Sequence, residues 1–248
     1  MTAHSKNEPR PFIPLLVGQG KLATHVAFYL SQKKIPFFQW PKSREINTPE
    51  FQILAKRASL AWILVADRAI TEIALQIKTL APDLTLLHSS AATDVEGVLT
   101  LHPLQTFGPT LYDLKTYEKI PFVLIQEEWK ASSGLKNQVK DLFKNPLIEI
   151  AQSKRALYHA YCVMMANFPQ ILWDEVTKES NLKLYEGVSM FEPILRQATE
   201  NFIQHPSTAL TGPLVRGDQV TLDRHQAALT GSRLLGIYQA FIKLKETV

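Results

Sequence analysis

The chain has 248 residues, of which 46% are apolar and 20% charged, with 10 Gly and 15 Pro. That length fits one large domain or two modest ones, and the composition excludes a disordered or fibrous chain. Twenty-seven Lys and Arg stand against 23 Asp and Glu, a net charge of +4 spread along the sequence, whereas a dedicated nucleic-acid binder concentrates its positive charge.

Residues 1–10 are polar and read as a tail without a signal-peptide pattern. Phe12–Val17 is a short apolar run, as expected of a buried parallel strand. Leu22, Val26, Ala27 and Leu30 follow at helical spacing. Pro36–Trp40 predicts a second strand, and Phe51, Leu54 and Ala55 a short helix. Leu60–Ala66 is the strongest strand, and Ile70, Ile73, Ala74 and Ile77 form a helix face. Leu84–His88, Val98–His102 and Pro121–Ile125 predict further strands. A helix over Ala131–Phe143 and a strand over Leu147–Ile150 close this half. Alternating strands and helices indicate a mostly parallel sheet. The strand signal then stops, and Ser153–Lys178, Glu186–Gln204 and Leu222–Lys245 have helical periodicity. The expected fold class is α/β, with a Rossmann-type domain over 11–152 and an all-helical domain over 153–248.

The single cysteine, Cys162, excludes an internal disulfide and a cysteine-rich zinc site. It fits a reducing compartment, and no window approaches the roughly 20 apolar residues that span a bilayer. The expectation is a soluble cytoplasmic protein with no membrane, nucleic-acid or metal partner.

Gly18-Gln19-Gly20-Lys21-Leu22-Ala23 lies where the first strand turns into the first helix. This is G-x-G-x-x-A, a variant of the dinucleotide-binding fingerprint. Gly18 permits the tight turn, Gly20 lets the backbone approach a pyrophosphate, and Ala23 lets the helix pack on the sheet. The helix N-terminus then offers N–H groups to the anion. An NAD site usually has an acid about 20 residues after the first glycine, but the second strand ends Phe37-Phe38-Gln39-Trp40 with none. Ser43 and Arg44 follow, with Lys42 as a helper. A hydroxyl beside cations suits the 2′-phosphate of NADP. Ala66 and Asp67 end the third strand, at the cofactor crevice of such sheets. For Asp67 a helix-capping role is favoured.

Four polar clusters remain. His88-Ser89-Ser90 ends a strand, where His88 either meets the cofactor or is a satisfied structural histidine. His102, Gln105 and Thr106 surround Pro103. Tyr158-His159 precedes Asn167 by about two helical turns. Thr211, Arg216 and Asp218 gather around two glycines in Leu210–Asp218. His102 and His159 have the side chain of a neutral-pH acid or base, and for each a structural hydrogen bond is the competing reading.

Taken in order, the fingerprint, His88-Ser-Ser, His102–Phe107, Tyr158-His159 to Asn167 and Leu210–Asp218 resemble one family. It joins a Rossmann-like domain to a domain of unknown function numbered 2520. The family is distantly similar to pyrroline-5-carboxylate reductase, ketopantoate reductase and prephenate dehydrogenase. The resemblance implies an NADP-binding domain, a helical second domain of the 6-phosphogluconate dehydrogenase kind that often forms a homodimer, and a small-molecule substrate between the two domains. It implies an NADP(H)-dependent oxidoreductase without fixing a mechanism. On that reading Gly18, Gln19, Gly20, Lys21, Leu22, Ser43, Arg44, Ala66 and His88 meet the cofactor. His159, or His102, donates the proton; Asn167 and Thr211 orient the substrate with Gln105 and Asp218; Arg216 holds an anionic group. The rival reading is a non-catalytic protein that senses NADP or another nucleotide.

Overall fold

A computed structural model describes residues 11–41, 43–180, 184–185 and 188–246. Lys42 lies outside the described residues. The chain divides into two compact units, Met1–Ala166 and Asn167–Val248.

The first unit is built on seven strands: β1 (Pro14–Val17), β2 (Phe38–Trp40), β3 (Leu60–Ile63), β4 (Thr85–His88), β5 (Leu99–Pro103), β6 (Phe122–Ile125) and β7 (Leu147–Ile150). They lie in the order β2-β1-β3-β4-β5-β6-β7. The first five are parallel, β6 runs against β5, and β7 follows β6. Six helices connect them: α1 (Lys21–Gln32), α2 (Pro49–Arg57), α3 (Asp67–Leu80), α4 (Leu114–Lys119), α5 (Gln126–Trp129) and α6 (Ser133–Phe143). α4 lies in a stretch where periodicity predicts no element; Asp113 starts it by accepting from Thr116 N at 2.7 Å.

Both faces of the sheet are covered, which is why its strands read as continuous apolar runs. Alternation divides the side chains of each strand between the faces. Leu16, Leu60 and Trp62 join Tyr29, Tyr117 and Phe143 on one side. Leu15, Val17, Ala61 and Ile63 join Phe51, Ile70 and Ile77 on the other. Helix starts follow local chemistry. Thr48 caps α2 by accepting from Phe51 N at 3.2 Å, and Pro49 follows at the first helical position. Asp67 departs from its expected capping role. The N-cap of α3 is Ala66, which makes no side-chain bond, and Asp67 lies in the first turn, where its charge suits the helix dipole.

A long helical segment follows β7. It comprises α7 (Arg155–Cys162), a π-helical turn (Val163–Asn167) and α8 (Phe168–Ser180). The two units divide within that π turn. The second unit continues with β8 (Leu184–Tyr185) and β9 (Val188–Ser189), an antiparallel pair where helical periodicity from Glu186 predicts a helix. α9 (Glu192–Gln204) starts later, with Pro193 in its first turn. The helix expected over Leu222–Lys245 is two helices, after a short α10 (Pro213–Arg216). α11 (Gln219–Ala228) and α12 (Leu234–Glu246) are separated by a turn in which Gly231 takes φ +86°. No helix among the described residues is long and apolar enough to cross a membrane.

Candidate functional site

The strand order reverses between β1 and β3, because β2 leaves β1 on one side while β3 pairs on the other. In open α/β sheets the crevice at the carboxyl ends of such strands receives ligands. A cavity of about 610 Å³ opens there, lined by Gly18–Leu22, Ser43 and Leu64–Ala66. Gly18 has φ +139°, and a Cβ at this position would lie 2.2 Å from Leu64 O. Its N–H donates to Trp40 O at 2.8 Å, while Leu64 N donates to Val17 O at 2.8 Å. The turn is thereby pinned between the two neighbouring strands. Gly20 is the N-cap of α1, and a Cβ there would meet nothing within 4 Å. The first turn of α1 has no acidic residue. An anion at this end would therefore meet backbone N–H groups and a positive dipole end without repulsion.

Arg44 does not line the cavity. Its guanidinium lies 5.0 Å from the ring centroid of Trp40. Its carbonyl accepts from Trp40 Nε1 at 3.2 Å, and its N–H donates to Pro41 O at 3.1 Å. These contacts fold the loop after β2 back on Trp40 and present Ser43 to the cavity. Among the described residues, no acid lines the cavity.

His88 stands away from this cavity. It is fully buried, and Nδ1 accepts from Ser90 N at 3.2 Å. The proton therefore resides on Nε2, which faces Thr100 Oγ1 at 3.4 Å. Burial first, then the Arg155 charge, pushes its pKa down to about 4. A neutral ring with both nitrogens engaged matches the structural reading of this histidine.

His102 meets Tyr158, the neighbour of His159, in the first unit. His102 Nδ1 and Tyr158 Oη are 2.7 Å apart, with the rings edge to face. His159, next on α7, is near enough for its charge to bear on His102. Burial, then His159 and Arg155, lowers the His102 pKa to about 4. Burial and a hydrogen bond with Cys162 raise that of Tyr158. At neutral pH the pair is an uncharged imidazole and an intact phenol.

Sequence spacing gave no hint of Arg155 and Glu128. Arg155 is 5% exposed. Its Nη1 donates to Glu128 Oε1 at 2.7 Å, and its Nη2 to Thr100 Oγ1 at 2.9 Å. The remaining predicted residues are spread out. Gln105 is exposed and accepts from Thr106 N at 2.8 Å. Asn167, Thr211, Arg216 and Asp218 belong to the second unit. Asn167 ends the π turn, and Thr211 and Arg216 are exposed. Asp218 caps α11, accepting from Thr221 N at 3.1 Å and Thr221 Oγ1 at 2.7 Å. Both carboxylate oxygens thus have local partners, so the residue expected to hold substrate serves the helix start.

A doubly wound sheet with a glycine turn at its switch point, followed by helices, defines a Rossmann-type two-domain protein. Residues 122–244 match the family described as a domain of unknown function, DUF2520, as the sequence resemblance implied. The chain is similar to the solved structure of a candidate NADP oxidoreductase from Bacteroides fragilis: 19% identity, 96% of this chain and 99% of that one, TM-score 0.70. A Thermotoga maritima protein aligns at 20% identity, over 94% of this chain and 97% of its own, with TM-score 0.70. The Plasmodium falciparum pyrroline carboxylate reductase, solved with NADP bound, aligns at 11% identity, over 95% and 98%, with TM-score 0.58. At such identities the likeness establishes the shared fold. None of the curated proteins matches the chain.

Proposed function

We propose that the protein is an NADP(H)-dependent oxidoreductase that transfers a hydride to or from a small C=O or C=N substrate. The observation that carries this reading is the cavity at the β1–β3 switch point, lined by the glycine turn, the α1 N-terminus and Ser43. The residues fit a dinucleotide: Gly20 leaves space where a side chain would intrude, and no carboxylate opposes the phosphates. Gly18, Gln19, Gly20, Lys21 and Leu22 would hold the pyrophosphate, Ser43 and Arg44 the 2′-phosphate, and Ala66 the adjoining ribose. The NADP-bound reductase of the same fold supports the choice of nicotinamide cofactor.

When bound, the nicotinamide supplies or accepts the hydride. The protein's own part is to orient the reactants and manage one proton. His159 is assigned as the proton donor. His102 is the alternative donor, but it is uncharged at neutral pH and its Nδ1 is engaged by Tyr158, so it holds no imidazolium proton to give. Asn167, Gln105 and Thr211 would orient substrate, and Arg216 would hold an anionic group. The apolar faces around Ile194–Phe202 and Leu234–Ile242 are assigned to a homodimer interface. Ile194, Phe202 and Phe241 are all at least half exposed, and contiguous exposed apolar area marks interaction surfaces.

The test is thermal unfolding with NADPH, NADP, NADH and no ligand. NADPH at 100 times its dissociation constant stabilises the fold by roughly 2.7 kcal/mol. A clear shift with NADPH and little with NADH is expected, and no shift with any of them would sink the reading. Once a keto acid or cyclic imine that drives NADPH oxidation is found, His159→Asn should cut turnover far more than NADPH affinity. Binding without any such oxidation would favour the nucleotide sensor.

A further inference from the structure

Arg155 is the first residue of α7, and its interactions exceed what a helix start requires. The helix and β5 meet in two rungs. Residues two apart on a strand point to the same face, so Thr100 and His102 stand side by side. Residues three apart share a helix face, as Arg155 and Tyr158 do. Arg155 Nη2 donates to Thr100 Oγ1 at 2.9 Å in the first rung. Tyr158 Oη meets His102 Nδ1 at 2.7 Å in the second.

The first rung is heavily determined. Arg155 Nε donates to Ala91 O at 3.1 Å, Nη1 to Glu128 Oε1 at 2.7 Å, and Nη2 also to Ser90 O at 3.4 Å and to Thr93 O. Glu128 in turn accepts from Thr100 N at 2.6 Å and Thr100 Oγ1 at 3.2 Å. His88 faces the same hydroxyl from β4. The loop after β4, α5 and β5 thus converge on one guanidinium, whose planar fork addresses several directions at once in a way an ammonium does not. The second rung is a single hydrogen bond. Buried ion pairs are weak stabilisers compared with apolar packing of the same volume. The arrangement therefore suits register better than it suits stability.

We propose that Arg155, with Glu128 as its counter-ion, is a positioning residue that sets the height and rotation of α7 against β5, so that Tyr158 reaches His102 and His159 stands beside it. The inference rests on the reading of this imidazole pair as the proton-handling end of the site. Arg155 itself need touch neither substrate nor cofactor.

Histidine-ring titration by NMR in the full chain tests it, with the NADPH thermal shift as a separate readout. The groups that face His102 are Tyr158, His159 and Arg155 from the α7 side and His88 from β4. Its pKa of about 4 keeps it uncharged at neutral pH. Arg155→Lys retains the cation and loses the fork. The expected result is a rise of at least about one unit in the His102 titration, toward the ordinary value of about 6.5. Tyr158→Phe should do the same, because it removes the hydroxyl that holds the neutral ring. The NADPH shift should persist in both. A folded Arg155→Lys protein with His102 titrating as in the wild type overturns the proposal, because a purely structural role lowers the melting temperature without reaching His102. If that variant does not fold, Thr100→Val, which removes the first rung without changing a charge, is read in its place. A smaller rise in the same direction is expected, and no rise overturns the proposal equally. Absence of an NADPH shift in the wild type would remove the oxidoreductase reading and leave the histidine result standing.

Discussion

The sheet unit and the helical unit treat their apolar residues in opposite ways. In the first, strands and helices bury a large core that includes Trp62, Trp129, Phe51 and Phe143, although side chains such as Leu75 and Met165 stay exposed. In the second, Leu222 is the single buried residue among those described, while Ile194, Phe202, Ile203, Phe241 and Leu244 are half exposed or more. Fully burying such a side chain is worth about 1.5–3 kcal/mol. A sheet covered on both faces completes its own core. A few helices of about 13 residues need a further apolar surface. The difference teaches that the two units are stable for different reasons, and that the second depends on what covers it.

The largest effect is expected in the helical unit. Phe241→Glu places a charge on a face assigned to a second copy. Burying an unpaired charge there is prohibitive, so dimerisation should be lost altogether. Light scattering is expected to give twice the chain mass for the wild type and a monomer or an unfolded chain for the variant. A wild-type monomer that melts cooperatively in both units would remove the homodimer.

The next effect lies in the sheet unit. Gly18→Ala forces a Cβ against Leu64 O at 2.2 Å and a side chain onto φ +139°. Strain and overpacking each cost about 1–3 kcal/mol, so a loss of about 3 kcal/mol or more is expected in denaturant melts, with the NADPH shift abolished. Gly20→Ala is the contrast, since its Cβ enters open space. It should keep its melting temperature and lose NADPH affinity. Equal destabilisation of the two variants would contradict the cavity geometry.

Acid should weaken the sheet unit through its histidines. His88 and His102 both have folded pKa values of about 4, against about 6.5 unfolded. The unfolded chain therefore binds more protons across that interval. The stability that the neutral rings contribute is complete above about pH 6.5 and declines as the pH falls toward 4. The loss is of order 3 kcal/mol per histidine over that span. Urea unfolding between about pH 7 and pH 5, above the range where carboxylates titrate, measures it. A flat profile would show that one or both rings are solvated.

The same contrast explains what the sequence made legible. β1, β3 and the glycine turn are local features: apolar runs and a fingerprint whose meaning depends on neighbours in the chain. The cavity lining could be read from them, together with Ser43. Pairings across the fold have no such signature. Arg155 meets Thr100 and Glu128 only because β5, α5 and α7 converge, and His88 is engaged by Ser90 and Thr100. The helical unit misled periodicity in two ways. The β8–β9 pair interrupts a pattern that reads as helix from Glu186, and Gly231 divides what reads as one helix from Leu222. Asp67 and Asp218 show how near the alternatives lie. Asp218 accepts the backbone N–H three residues on, whereas Asp67 sits one position too late to cap.

The smallest effect sharpens cofactor choice within the sheet unit. Ser43 lines the cavity and Arg44, next in the chain, lies over Trp40, so the two offer a hydroxyl and a cation after β2. A 2′-phosphate would draw the guanidinium into a charge-assisted hydrogen bond, and NADH has no group to do so. Arg44→Ala should therefore weaken NADPH binding about tenfold, or about 1.4 kcal/mol, and leave NADH binding unchanged. The Trp40 contact complicates the experiment, because losing it could loosen the loop that presents Ser43. Arg44→Lys separates the two effects: it keeps a cation for the phosphate but stacks less well on the indole. Calorimetric titration of both variants with both cofactors decides the matter. If NADPH and NADH weaken together, Arg44 shapes the loop. If only NADPH weakens, and Arg44→Lys recovers part of it, Arg44 reads the phosphate.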